Sequence, residues 1–160
     1  MSNLNRLRGW TLSVLGAVVF LFALPGAALA CTCLEVPFDQ EYSSMDYVFT
    51  ARALASEPST YPDHQIVHLR VFAIWKGTGV EEFMDVLVAD SEGQCGYAFT
   101  PGTDYLVFAD WYDSTYPVYT QSCSRTRPYN PSDPIFNELG PPLSTPAPNR
   151  SWGKIKAVYR

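Results

Sequence analysis

Alternating hydrophobic and polar positions run through the middle of the chain and predict β-strands. In the clearest segment, residues 65–75, His68 and Arg70 share one face, and five apolar residues share the other: Val67, Leu69, Val71, Ala73 and Trp75. Glycine and proline turns separate this segment from further short strand candidates, of which residues 104–112 are apolar and aromatic. The predicted strands cover residues 45–55, 65–75, 83–89, 94–99, 104–112 and 116–123. Six short strands with no helical periodicity between them predict an all-β fold, either a small closed barrel or a sandwich.

Short helical segments are predicted on both sides of the strands. Residues 37–44 are compatible with a helical turn. Ser132-Asp133-Pro134 is typical of a helix start with proline in the first turn, and Gly140 is expected to end that helix. Residues 141–160 form a proline-rich linker and a C-terminal tail for which the sequence indicates no role.

The first thirty residues have the pattern of a secretory signal peptide. A basic start with Arg6 and Arg8 precedes an apolar stretch at residues 11–24, and Ala28-Leu29-Ala30 fits a cleavage site. The apolar stretch is short for a membrane span. We therefore expect cleavage after Ala30 and secretion, either outside the cell or into a periplasm. An uncleaved anchor and a lipoprotein modified at Cys31 are the alternatives.

Charge and length restrict the function of the expected mature chain. Without Arg6 and Arg8, nine basic residues face sixteen acidic ones, which gives a net charge of −7. No basic cluster interrupts this acidity, which argues against nucleic acid or an anionic membrane as partner. The length suits one domain, assigned to residues 31–140.

Four cysteines, Cys31, Cys33, Cys95 and Cys123, all lie in the expected mature chain. Export would place them where disulfides form and persist. A bridge between Cys31 and Cys33 would close a very small strained ring, so we expect each of them to pair with either Cys95 or Cys123. Two bridges over such long loops would each stabilise the fold by roughly 3–4 kcal/mol in the chain-entropy model.

Several kinds of active site are not supported by the sequence. His64 and His68 would lie roughly 13 Å apart along a strand, too far apart to share a metal ion. No G-x-S-x-G nucleophile motif is present. Aromatic and acidic residues mix at residues 110–113, which we interpret as a half-buried aromatic strand with solvated carboxylates. We expect no enzymatic activity.

Cys31-Thr32-Cys33 is the segment whose residues could carry the most specific chemistry. If cleavage leaves Cys31 as the first residue, its unblocked α-amine nitrogen and its own carbonyl oxygen can bind one metal ion in a five-membered ring. A disulfide would hold the same residue through its side chain. Thioredoxin-like redox chemistry is not favoured, because it uses C-x-x-C at a helix start after a strand.

These features together resemble the N-terminal, netrin-like inhibitory domain of the tissue inhibitors of metalloproteinases. The similarity extends over about residues 31–130. Its order and spacing follow the family in these segments: Cys31-Thr32-Cys33, Asp46-Tyr47-Val48-Phe49 leading to Arg52, Trp75-Lys76-Gly77, Glu92-Gly93-Gln94-Cys95-Gly96-Tyr97, Tyr105-Leu106-Val107-Phe108-Ala109, and Thr120 to Cys123.

The resemblance implies a five-stranded OB-fold barrel with short flanking helices. It also implies the disulfides Cys31–Cys95 and Cys33–Cys123. In the family, the amine and carbonyl of the first residue bind the catalytic zinc of a metalloproteinase and displace the attacking water. Cys31 would then be the only metal-contacting residue, and the zinc would belong to the partner enzyme. The chain would be a monomer with no cofactor of its own.

The resemblance also implies which side chains meet the enzyme. Thr32 would enter the main specificity pocket, and Leu34 and the segment before Cys95 would fill neighbouring subsites. The residues expected to contact the partner are Cys31, Thr32, Cys33, Leu34, Glu92, Gly93 and Gln94.

Two departures from the family pattern leave a second function open. Ser43 stands about where the first cysteine of a third disulfide would be, and Glu35 replaces a proline that usually follows C-x-C. Netrin-like domains also occur as binding or adhesion modules without inhibitory activity. The lipoprotein alternative would acylate the amine of Cys31 and block its thiol, so it excludes metal binding there.

Overall fold

A computed structural model describes residues 31–90 and 94–146, and the predicted signal peptide lies outside the described residues. The fold belongs to the all-β class. Its elements, in chain order, are helix α1 (Phe38–Ser44), strands β1 (Tyr47–Pro58), β2 (His64–Lys76), β3 (Phe83–Ala89), β4 (Asp104–Trp111), β5 (Val118–Tyr119) and β6 (Arg127–Pro128), and helix α2 (Ile135–Leu139).

Five of the strands form a closed ring. β1, β2 and β3 follow one another as antiparallel neighbours. β3 pairs in parallel with β5 through Leu87 and Tyr119, and β5 pairs antiparallel with β4. The ring closes where Tyr47–Arg52 of β1 pairs with Asp104–Ala109 of β4. β6 also pairs antiparallel with β4, on the same edge of β4 as β5.

The interior of the ring is filled by alternate residues of its strands. Phe49, Leu69 and Val107 are fully buried there, because each lies on the inward face of its strand. The remaining members of this cluster are Tyr47, Ala51, Ala53, Val67, Val71, Ile74, Val86, Val88, Tyr105, Ala109 and Val118.

A second apolar cluster lies on the outer face of β1, β2 and β4. It contains Val48, Trp75, Leu106, Phe108 and Ile135. The two helices cover this face, since Phe38 and Tyr42 of α1 and Phe136 and Leu139 of α2 pack against it. The predicted helical segments are therefore present and serve as a cover. Asp133 Oδ1 accepts the N–H of Ile135 at 3.0 Å, and Gly140 ends α2 with a φ of 65°.

A bulge in β2 corrects the predicted face of that strand. Ala51 pairs with Val71, whereas Thr50 pairs with Ala73, so Phe72 is an extra residue. After the bulge the alternation reverses, and Trp75 packs in the outer cluster rather than on the face of Val71. The assignment of residues 67–71 was right, and that of Ala73 and Trp75 was wrong.

Residues 94–99 do not form the predicted strand. They contain a single turn near Cys95 followed by irregular chain. Their aromatic side chains explain the misleading pattern, because Tyr97 and Phe99 pack on Tyr105 with ring centroids 5.9 and 4.7 Å away. The segment closes one end of the ring with side chains instead of backbone pairing.

Candidate functional site at the disulfide-linked N-terminus

Two disulfides fix the start of the described chain. Cys31 is bonded to Cys95 and Cys33 to Cys123. This is the pairing that the family resemblance implied, and it is confirmed. The bridges use all four cysteines and join residues that are 64 and 90 positions apart in sequence. Such bonds are typical of proteins in an oxidising environment.

The first residues form an exposed edge, which we call the N-terminal ridge (residues 31–35). Thr32, Cys33, Leu34 and Glu35 are exposed, and Cys31 is half-buried. The side chain of Leu34 has the highest exposure of any large apolar residue in the described chain, 84 %. Leu34 directly follows the bridged Cys33, so this exposed apolar residue is available to a partner without a large loss of conformational entropy.

The two loops that receive the bridges also bond to each other. The N–H of Ser122 donates to the carbonyl oxygen of Cys95 at 2.8 Å. Cys95 has a φ of 60°, a conformation that non-glycine residues rarely adopt. This left-handed turn and the hydrogen bond hold Cys95 beside the loop that carries Cys123. Both anchors of the ridge therefore belong to one connected structure.

Buried hydroxyl groups hold the Cys123 loop against β4. Thr120 Oγ1 and Thr126 Oγ1 both donate to the carbonyl oxygen of Phe108, at 2.7 and 3.0 Å. Thr126 Oγ1 also accepts the N–H of Phe108 at 3.0 Å, and Ser124 Oγ donates to it at 2.8 Å. These contacts replace strand pairing, which explains why β5 ends at Tyr119 although the sequence predicted a strand to residue 123.

An ion pair holds the chain just after the ridge. Glu41, on α1, is 7 % exposed, and its Oε2 lies 2.6 Å from Arg125 Nε. Glu41 Oε1 accepts the backbone N–H of Arg125 at 2.8 Å, and Arg125 Nη2 donates to the carbonyl oxygen of Val36 at 2.6 Å. A shallow cleft of about 360 Å³ lies between this pair and residues 34–36. The pair fixes the direction in which the chain leaves the ridge.

The sequence interpretation missed Glu41 and Arg125, although a signal was present. Phe38, Tyr42 and Met45 follow helical spacing and mark the buried face of α1. Glu41 lies on that same face. A carboxylate on a buried helix face requires a cationic or hydrogen-bonding partner, so this position predicts one.

The predicted contact residues near Cys95 are only partly described. Gln94 is exposed and is directly adjacent to the bridge between Cys95 and Cys31. Glu92 and Gly93 lie outside the described residues. The structure therefore brings Gln94 and the ridge together and leaves the positions of the other two as predictions.

An aromatic cluster lies where the β1–β2 loop meets the loop after β4. The hydroxyl of Tyr61 donates to Asp113 Oδ2 at 2.6 Å, and this hydrogen bond lowers the pKa of Asp113. Tyr112 packs on Tyr61 and on Tyr119, with ring centroids 5.9 and 5.4 Å away. Asp113 is thus used to brace two loops, which refines the interpretation of residues 110–113 as a strand with solvated acids.

The two histidines are separately engaged on β2. His68 Nδ1 lies 2.7 Å from Asp85 Oδ1, while His64 Nδ1 lies 2.8 Å from the carbonyl oxygen of Pro62. Within residues 31–90 and 94–146, no group of three or more histidine, cysteine or acidic side chains is arranged to hold a metal ion.

Comparisons with known proteins give no independent assignment. No protein-family model matches the chain, and no curated protein is significantly similar to it. Neither helix in the part of the chain that the structure describes has the length and apolar character needed to span a bilayer.

Proposed function

We propose that this chain is a secreted OB-fold protein that resembles the tissue inhibitors of metalloproteinases and binds the catalytic zinc of a metalloproteinase. The zinc ligands are the α-amine nitrogen and the carbonyl oxygen of Cys31, after cleavage behind Ala30. Thr32 enters the main specificity pocket of the enzyme, and Leu34 and the segment Glu92-Gly93-Gln94 occupy neighbouring subsites. The protein itself has no enzymatic activity.

The stagger of the strand ring supports the OB-fold part of this proposal. The paired residues can be followed around the ring from strand to strand. Asp110 pairs with Tyr119, Tyr119 with Leu87, Leu87 with Ile66, and Ile66 with Glu57 on β1. The direct pairing of β4 with β1 instead places Ala109 opposite Tyr47. The two routes thus meet β1 about ten residues apart, and a large stagger of this kind tilts the strands as closure into a small barrel requires.

The pairing of both N-terminal cysteines carries the functional proposal. A purely structural role would be served by bridges anywhere in the fold. Here both bridges hold the first three residues of the expected mature chain, and they leave Thr32 and Leu34 exposed. The hydrogen bond between Ser122 and Cys95 adds rigidity at the same place. An anchored and exposed terminus is suited to bind without reorganisation.

The chemistry of zinc fits a terminal amine. A catalytic zinc has three protein ligands and one open position occupied by water, so a chelating amine and carbonyl can displace that water. The amine must lose its proton to bind, and an ordinary α-amine titrates near pH 7.7–8.0. Inhibition is therefore expected to weaken as the pH falls below about 7, since protons then compete with zinc for the nitrogen.

Processing is the first point to test. Intact mass and N-terminal sequencing of the exported protein should give an unmodified Cys31 as residue one and two disulfides. A lipid on Cys31, or additional residues before it, would exclude chelation.

The mechanism itself is tested by placing one additional alanine before Cys31. The added residue moves the α-amine away from the carbonyl of Cys31, so inhibition of a panel of zinc metalloproteinases should be lost. Thermal stability and both disulfides should be unchanged, which controls for misfolding. Equal inhibition by the extended and the native forms would disprove the mechanism, and no inhibition by the native form would favour the netrin-like binding module.

The role of Thr32 can be tested by a Thr32→Gly variant. Loss of the side chain should change the relative inhibition of different metalloproteinases, because the residue would no longer fill the specificity pocket. Thr32 is exposed, so the fold should be unaffected. An identical inhibition profile would show that the side chain does not enter that pocket.

A further inference from the structure

A groove with an uncovered apolar surface lies at the other end of β2 from the β1–β2 loop. Its volume is about 520 Å³. After Leu34, its residues Leu143 and Trp111 are the most exposed large apolar side chains in the described chain, at 79 % and 56 %. The groove is lined by Asp46, Tyr47, Lys76, Gly77, Thr78, Trp111 and Leu143. We call it the Trp111 groove.

The charged groups of the Trp111 groove already have partners within the fold. Lys76 Nζ donates to the carbonyl oxygens of Tyr42 and Ser43 at 2.7 and 3.0 Å. Asp46 Oδ2 accepts the backbone N–H of Trp111 at 2.8 Å. The surface that remains for an occupant is therefore mainly the indole of Trp111 and the side chain of Leu143. An occupant with apolar side chains fits this surface better than a small polar ligand.

The chain itself runs beside this groove where the described residues end. The N–H of Leu143 donates to the carbonyl oxygen of Ile74 at 2.7 Å, and the N–H of Ile74 donates to the carbonyl oxygen of Ser144 at 2.9 Å. These bonds hold residues 143 and 144 on the edge of β2. The last described residue, Pro146, lies three positions after Leu143. Trp152 lies six positions after Pro146, and six residues of extended chain reach about 20 Å, so Trp152 is within reach of the groove.

The sequence after Pro146 has the complementary chemistry. Residues 147–160 contain four basic residues and no acidic one, whereas residues 31–146 contain sixteen acidic and five basic residues. The segment also contains Trp152, Ile155 and Tyr159, at the i, i+3 and i+7 spacing of the apolar face of a helix. A basic segment with apolar side chains is thus covalently attached next to an apolar groove on an acidic body.

Carboxylates near the groove strengthen this match. Burial raises the pKa of Asp110, and the nearby charges of Asp46 and Glu41 raise it further. Three carboxylates, those of Asp110, Asp46 and Glu41, thus interact with one another here, and Lys76 offsets only part of their charge by lowering the pKa of Asp110. An added cation there would be favourable, because it would reduce the repulsion among the carboxylates.

We propose that residues 147–160 occupy the Trp111 groove, with Trp152 and Ile155 packed against Trp111 and Leu143 and with Lys154 and Lys156 near Asp46 and Asp110. The docked segment would cover the start of β1 and the ends of β2 and β4, beside α1. This inference does not depend on metalloproteinase binding.

A double-mutant cycle on the exported, disulfide-bonded protein tests the contact. The variants are Trp111→Ala, Trp152→Ala and the combination, compared by thermal unfolding. Docking predicts that Trp152→Ala lowers Tm by about 3–6 °C, and that it has little effect once Trp111 is already alanine. The matched control is Tyr129→Ala, an aromatic that is 42 % exposed and lines a different groove. Its effect should simply add to that of Trp152→Ala.

Three results would overturn the proposal. Coupling of Trp152 with Tyr129 instead of Trp111 would place the segment in the other groove. Additive effects of Trp111 and Trp152 would show that they are not in contact. Coupling that disappears on dilution, together with a dimer in sedimentation, would identify a second copy of the chain as the occupant. A Lys154→Glu, Lys156→Glu variant should lower Tm in the same Trp111-dependent way, and an unchanged Tm would refute the electrostatic part.

Discussion

The ion pair between Glu41 and Arg125 gives the sharpest prediction about how the N-terminal ridge is held. Glu41→Ala removes the negative partner of the guanidinium and also the acceptor for the backbone N–H of Arg125. Glu41→Gln removes the charge but keeps an oxygen that can accept that N–H. Comparison of the two variants therefore separates the charge from the hydrogen bond.

The structure sets the expected magnitude. Loss of one partner from a fully buried ion pair costs about 3–5 kcal/mol. Here the side chain of Glu41 is 9 % exposed but that of Arg125 is 30 % exposed, so water can partly solvate the remaining guanidinium. We expect Glu41→Ala to lower the free energy of unfolding by about 2–3 kcal/mol. Glu41→Gln should cost about 1 kcal/mol less, the typical net value of one hydrogen bond.

Urea unfolding of the oxidised protein at pH 7 measures both values. Asp39→Asn is the matched control, because Asp39 lies on the exposed side of the same helix. That substitution should change the free energy of unfolding by no more than about 0.5 kcal/mol. If Glu41→Ala were no more destabilising than Asp39→Asn, the ion pair would not stabilise the fold, and the argument that it directs the ridge would fail.

Two further predictions concern other parts of the fold. In the same urea assay, Gly77→Ala should be more destabilising than Gly79→Ala by about 1–3 kcal/mol. The reason is that a Cβ added to Gly77 would lie 2.7 Å from the side chain of Tyr47, whereas a Cβ added to Gly79 would have no atom within 4 Å. Equal losses of stability would contradict this steric explanation. Burial raises the pKa of Tyr97 to about 12. The unfolded phenol ionises near pH 10, so this residue's contribution is complete below pH 10 and is lost between about pH 10 and 12. Between about pH 10 and 12, Tm should therefore fall less steeply for a Tyr97→Phe variant than for the native protein. Parallel plots of Tm against pH for the two proteins would show that ionisation of Tyr97 does not cause the loss of stability.

Apolar and aromatic segments between turns predicted β3 and β4 closely, although β4 is buried on both faces. β3 has the predicted bounds, and β4 ends one residue earlier than expected. The β2 bulge could not be predicted in the same way. An extra residue at Phe72 changes which face each later residue occupies, and only the pairing with β1 reveals it. Local alternation contains no information about the register of a distant partner.

The loops of the candidate site were harder to predict for a related reason. Tyr97 and Phe99 alternate like strand residues, yet they are buried by aromatic packing against Tyr105. The segment after Tyr119 is held by hydroxyl groups that bond to the backbone of Phe108. Both arrangements satisfy burial and hydrogen bonding without a β-ladder, so a periodic pattern alone cannot distinguish them from strands.

The ridge differs from the rest of the site because covalent chemistry specifies it. The contacts of Arg125 with Glu41 and Val36 join residues 84 and 89 positions apart, and nothing in the local sequence of Arg125 indicates them. A cysteine in an oxidised domain indicates a long-range contact by its residue type alone, and four cysteines allow only three disulfide pairings. The disulfides could therefore be anticipated, whereas the position of Glu41 indicates that it needs a partner but not that the partner is Arg125. Since both act on the same short segment, loss of Glu41 should loosen the chain after Cys33 even when both bridges remain intact.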